Sequence, residues 1–201
     1  MPAAPRKTLP PRRPSHEIRI VGGAWKRTRL KVPDLPGLRP TPDRVRETLF
    51  NWLGQDLAGW RCLDAFAGTG VLGLEAASRG AASVQLVEQD RGLVAQIGDT
   101  IARLQASGVR VVRGDGVAML RQAAPASLDL VLLDPPFDSA LAEPALRAAA
   151  AALAADGYLY LEAPVAWTDA QLAPLGLCVA RHLKAGAVHA HLLRHADRTH
   201  A

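Results

Sequence analysis

Four acidic residues stand where an apolar run meets glycine or proline. They are Asp64 in DAFAGTGVLG, Glu88 in LVEQD, Asp115 before Gly116, and Asp134 before Pro135, Pro136 and Phe137. The glycines after Asp64, Gly68 and Gly70, let the chain turn sharply and let a ligand lie against bare backbone, with Phe66 between acid and loop. The following helix aims its N-terminus at the same place and favours anionic or carboxylate groups. An acid four residues ahead of the glycines is badly placed beside a pyrophosphate. It suits a cationic or hydroxylated ligand, so the G-x-G-x-x-G spacing is not read as a dinucleotide signature. Glu88 lies where doubly wound folds place an acid on ribose hydroxyls. Asp115 can accept from an adenine amino group while the Gly116 N–H donates to the ring.

Asp134-Pro135-Pro136-Phe137 is the sharpest of the four. Two prolines fix the backbone and remove two N–H donors. That leaves the Asp134 carboxylate and nearby carbonyls as acceptors, with the flat face of Phe137 for stacking. Acceptors beside a stacking ring suit a planar exocyclic NH2. The plainer readings are a tight strand–helix turn, a solvated loop acid and a Pro-Pro turn over a core Phe. No pattern supports a Ser-His-Asp or Cys-His nucleophile. His189 and His191 share a strand face but lack further ligands, and no metal is expected.

These residues need strands that end where they stand. RCLDAF, SVQLVEQD, VRVVRGD, LDLVLLDPPF and GYLYLEAP read as successive strands. VLGLEAASRG, residues 91–106, VAMLRQ and residues 142–155 read as the helices between them, and a terminal hairpin turns at Ala185-Gly186. Such alternation predicts an α/β fold: a doubly wound, mainly parallel, seven-stranded sheet with antiparallel strands at one edge. Ahead of it, Ile18, Ile20, Leu30 and Val32 alternate with polar residues in a hairpin around Gly22-Gly23. A helix then starts with Thr41 as N-cap and Pro42 at its first position. The expected divisions are a disordered basic leader (1–16), a hairpin-and-helix extension (17–57) and the main domain (58–196).

The chain has 201 residues, of which 49% are hydrophobic, and a net charge of +5. The charge is unevenly spread: residues 1–46 hold twelve Lys and Arg against three acids, a net +9, and the remainder is net −4. A basic leader on an acidic body points to a polyanion partner. The apolar runs are too short to span a bilayer, and the first residues lack the apolar segment of a signal peptide. Two cysteines, Cys62 and Cys178, cannot make a disulfide framework or a structural zinc site, which leaves a cytoplasmic protein with reduced thiols.

DAFAGTGVLGLEAASRGA, VEQD and DPPF together resemble the class I S-adenosylmethionine methyltransferases that act on exocyclic amines. The upstream blocks IRIVGGAWKRTRL and LRPTPDRVRETLFNWL resemble the RsmD group, bacterial methyltransferases of guanine N2 in small-subunit (16S) ribosomal RNA. The likeness runs from about Ile18 to Leu193. It implies a Rossmann-like fold and S-adenosylmethionine as cofactor. Asp64, Phe66, Gly68 and Gly70 would surround its methionine part, Glu88 its ribose, and Asp115 with Gly116 its adenine. Asp134, Pro135, Pro136 and Phe137 would hold the target guanine. Arg19, Lys26, Arg27, Arg29, Arg39, Arg44 and Arg46 would contact RNA, and the partner would be ribosomal RNA, within a small-subunit particle, met by a monomer.

Two alternatives share these features. One is a methyltransferase of the same fold acting on DNA amines or a protein amide. The other is a non-catalytic RNA-binding assembly factor, against which the intact Asp64, Glu88 and DPPF speak.

Overall fold

Leu63, Leu86, Val131 and Leu161 lie in strands covered on both faces, which is why their runs are apolar almost throughout. The computed structural model describes residues 16–35, 38 and 40–196. The leader as far as residue 15, and Arg39, fall outside them. β1 (His16–Arg19) and β2 (Arg29–Val32) form an antiparallel pair, followed by α1 (Asp43–Trp52). The alternating body follows: β3 (Arg61–Asp64), α2 (Val71–Ser78), β4 (Ser83–Glu88), α3 (Arg91–Leu104), β5 (Val109–Arg113) and α4 (Gly116–Gln122). Then come β6 (Leu128–Leu133), α5 (Ala142–Ala152), β7 (Leu153–Ala163), the short α6 (Asp169–Leu172), β8 (Leu177–Ala185) and β9 (Val188–His195).

The seven-stranded sheet has the order β5-β4-β3-β6-β7-β9-β8. β3 to β7 are mutually parallel, and the terminal hairpin adds β9 and β8 antiparallel at one edge. This is the expected fold. The strand order reverses between β3 and β6, and folds of this kind bind ligands at the carboxyl ends of strands beside such a reversal.

Several boundaries differ from the sequence reading. His16, expected in the leader, is the first residue of β1. The hairpin does not reverse tightly at Gly22-Gly23. Its strands stop at Arg19 and resume at Arg29, because α2 holds the intervening chain: Glu75 accepts from the Val21 N–H at 2.6 Å, and the Ser78 hydroxyl accepts from the Trp25 N–H at 2.9 Å. Thr41 does not cap α1. Pro42 occupies the N-cap position, and the Thr41 hydroxyl is drawn 121 residues along the chain to Glu162. The third helix stops at Leu104, where Gln105 turns left-handed. The Ala-rich helix stops at Ala152, because Leu153 already pairs with Leu128 in the sheet.

Candidate active site

Three carboxyls project from one face of the sheet at the ends of adjacent strands. Asp64 stands opposite Leu132, and Leu132 opposite Tyr160. Leu133 pairs with Leu161, so Asp134 and Glu162 follow together one step on. Side chains alternate along a strand. Cys62, Leu130, Leu132 and Tyr160 all enter the same core cluster, which puts Asp64, Asp134 and Glu162 on that face, under the hairpin and α1.

The turn after β3 is tight. Gly70 begins α2 with φ +79°, a left-handed conformation that a side chain disfavours. Asp64 is buried, and its Oδ2 accepts from the Gly73 N–H at 3.0 Å. Its Oδ1 is buried with no hydrogen-bond partner among the described residues. An orphaned carboxylate oxygen is costly unless something outside the chain satisfies it. Burial, with Glu88 nearby, pushes the Asp64 carboxyl up to about 7, against the pull of the Gly73 and Phe66 N–H groups. Phe66 is half-buried beside it.

Glu88 holds the loop as well as facing it. Its Oε2 accepts from the Gly68 N–H at 2.8 Å, and its Oε1 from the N–H groups of Gln89 and Asp90 at 2.7 and 2.8 Å. Asp115 caps α4, with Oδ1 accepting from the Ala118 N–H at 2.7 Å and Oδ2 from Gln89 at 3.3 Å. Gly116 is glycine for a packing reason: a Cβ there would lie 2.0 Å from the Ala65 carbonyl oxygen. That contact presses the start of α4 onto the end of β3 and brings the third strand's acid beside the first.

Asp134 is half-buried, Pro135 buried, and Pro136 and Phe137 exposed, with Phe137 40% accessible. The sequence allowed a core Phe here; the ring is exposed instead. Burial, then the charges of Glu162 and Asp64, hold the Asp134 carboxyl well above the usual carboxylate range. Sequence reasoning does not single out Glu162, although it carries the same signal as the other four, an acid closing an apolar strand. Its Oε1 accepts from the Thr41 hydroxyl at 2.7 Å and the Tyr160 hydroxyl at 2.8 Å, all three side chains being buried.

The basic residues divide. Arg19, Lys26, Arg27, Arg29 and Arg44 are exposed, with Arg19 paired to Asp43 and Arg29 to Glu17. Arg46 is not available to RNA, which corrects the reading from sequence. It is fully buried, bonded to Glu75, to Asp43 at 2.5 Å, and to the carbonyls of Thr41 and Arg19 at 3.1 and 2.8 Å. On the sheet's far edge, the rings of His182 and His189 meet at 3.0 Å. The buried His191, pushed down to about 4 by burial, accepts from the Trp167 N–H.

Residues 18–194 match the family described as "Conserved hypothetical protein 95". The chain belongs to this family. Curated relatives include the ribosomal RNA small subunit methyltransferase D of Escherichia coli K12, 48% identical over 136 residues, which cover 66% of this chain and 68% of that protein. The protein of the same name from Haemophilus influenzae is 42% identical over 133 residues, covering 65% and 69%. A solved putative methyltransferase from Escherichia coli superposes with a TM-score of 0.77 at 36% identity, over 90% of this chain and 98% of that one. As a member of this family the chain is a methyltransferase, and family and fold imply an S-adenosylmethionine-type methyl donor. Of the described residues, no helix is long and apolar enough to cross a membrane.

Proposed function

We propose that the chain transfers a methyl group from S-adenosylmethionine to the exocyclic N2 of a guanine in small-subunit ribosomal RNA, in a cytoplasmic setting. The observation that carries this reading is the Asp134–Phe137 turn: an acceptor carboxyl and an exposed ring at the end of β6, on the same sheet face as Asp64. Relatives named for small-subunit ribosomal RNA support the substrate class.

The residues present fit the donor. The orphaned Asp64 Oδ1 would accept from its ammonium end, and Glu88 and Asp115, each already holding backbone N–H groups, keep acceptor capacity that would serve ribose and adenine. When bound, the donor supplies a methyl already activated on a sulfonium. The chain's part is alignment. Asp134 and the Pro135 carbonyl accept from the guanine NH2, localise its lone pair and draw the nitrogen towards tetrahedral geometry. Phe137 stacks on the base once it has left its helix. The amine's proton leaves to Asp134 or to water. The exposed Arg19, Lys26, Arg27, Arg29 and Arg44 grip phosphates, in the extension ahead of the main domain.

The test is single-turnover transfer of labelled methyl to small ribosomal subunits lacking the modification. Asp134→Ala is expected to lose on the order of 10²–10³-fold in rate with donor affinity nearly kept. Asp134→Asn, which retains an acceptor, is expected to lose less. Near-normal transfer by Asp134→Ala would reduce the turn to a strand end, and label entering DNA or protein instead would overturn the substrate.

A further inference from the structure

Resting on the donor assigned above, we propose that Glu162 is a positioning residue that acts through Asp134. Pinned by Thr41 and Tyr160, it is the second carboxyl of a pair on neighbouring strand ends that gives up a proton when a sulfonium-bearing donor binds.

The geometry comes first. Glu162 and Asp134 end neighbouring parallel strands and project from the same face. Two hydroxyls donate to one oxygen of Glu162, fixing its position from two directions. One donor is on its own strand. The other, Thr41, arrives from the segment that links the hairpin to α1. Two carboxyls on adjacent strand ends, Glu162 buried and Asp134 half-buried, do not both ionise freely, because like charges there are incompletely screened.

The charged surroundings decide which one keeps the proton. Facing the pair are Asp64 from β3, with Glu88 behind it, and Arg46 from α1. On β9 the residue opposite Glu162 is the uncharged Ala190; the neighbouring His189 and His191 pair with Ala163 and Leu161 and so point to the other face of the sheet. Burial raises Glu162 too, but Thr41, Tyr160 and Arg46 pull it back towards the charged form, whereas burial, Glu162 and Asp64 all favour the neutral form of Asp134 and nothing opposes them. Asp134 is therefore the group that holds the proton in the resting site, and Glu162 holds the charge. A cation brought against Asp134 reverses that preference. The proton leaves to solvent, and the carboxylate that results is the better acceptor for an amine.

S-adenosylmethionine and S-adenosylhomocysteine isolate the effect. Both carry the ammonium that would meet Asp64, and only the first carries the sulfonium. Calorimetric titration of the full chain near neutral pH, in buffers of different ionisation enthalpy, counts the protons released by each. We expect S-adenosylmethionine to release more, by up to about one proton per site. In Glu162→Gln, whose amide oxygen still accepts from Thr41 and Tyr160, Asp134 keeps its burial and its neighbour Asp64 but loses the Glu162 charge, so it holds its proton less tightly and the difference between the two ligands is expected to shrink. Asp134→Asn, which removes the titrating group itself, is expected to abolish it. Equal release by both ligands in the native chain, or an unchanged difference in Glu162→Gln, overturns the role of Glu162 and leaves the methyl-donor reading intact. Failure of either ligand to bind the native chain overturns both.

Discussion

Arg46 and Glu75 form an ion pair in which neither side chain meets solvent, and it joins α1 to α2. Glu75 also accepts from the Val21 N–H and from Arg79, whose guanidinium lies 4.0 Å over the ring of Phe50. The hairpin, α1 and α2 are thus tied at one buried carboxylate.

Breaking that tie from one side leaves an uncompensated buried charge. Arg46→Ala is expected to destabilise the fold by about 3–5 kcal/mol, seen as a lower denaturant midpoint. Removing both charges, in Arg46→Met with Glu75→Leu, is expected to recover much of that loss. An Arg46→Ala chain with native stability and weakened RNA binding would restore Arg46 to the phosphate contacts.

Asp64 makes stability depend on pH with a definite sign. Its carboxyl titrates at about 7 in the fold, above an ordinary value of 3.8, so the folded chain binds the proton more tightly than the unfolded one. Its contribution is therefore full at low pH and falls as pH rises from about 4 to about 7, by roughly 3–5 kcal/mol over that window. Asp64→Asn is expected to flatten this fall in the donor-free protein while weakening donor binding. Denaturant midpoints across that range check it, and a parallel decline in Asp64→Asn would assign the effect elsewhere.

Phe137 offers its ring to solvent rather than to the core. Phe137→Ala is expected to leave the melting temperature and donor affinity close to native. Substrate engagement should weaken by about 1–3 kcal/mol, the worth of one base–aromatic stack. A large fall in melting temperature would instead make the ring a packing element.

Lys26 and Arg44 are exposed. If they contact phosphates, alanine at either is expected to lower the salt dependence of RNA affinity by about 0.7–0.9 in log–log slope per contact, with donor binding unchanged. Identical slopes in native and variant chains would move the RNA to another face.

The sequence by itself determined the order of the strands' ends. Asp64, Glu88, Asp115 and Asp134 each close an apolar run, and local patterning of that kind needs no distant partner to be read. It also determined the glycine turn and the prolines, whose backbone limits are intrinsic to the residue. Only the tertiary structure decided what the long-range charges do. Arg46 sits in a basic block and reads as a phosphate ligand until folding brings Glu75, 29 residues away, against it. Thr41 reads as a helix cap until Glu162, 121 residues on, takes its hydroxyl. That Gly116 must also be glycine because the Ala65 carbonyl fills the space where its Cβ would be is likewise invisible in the local sequence. The cap preference of Thr41 is worth about 1 kcal/mol, and a buried charge left without its partner, as at Arg46 and Glu75, costs several times more. The partner that settles the matter is therefore the one that the sheet, not the neighbouring sequence, supplies.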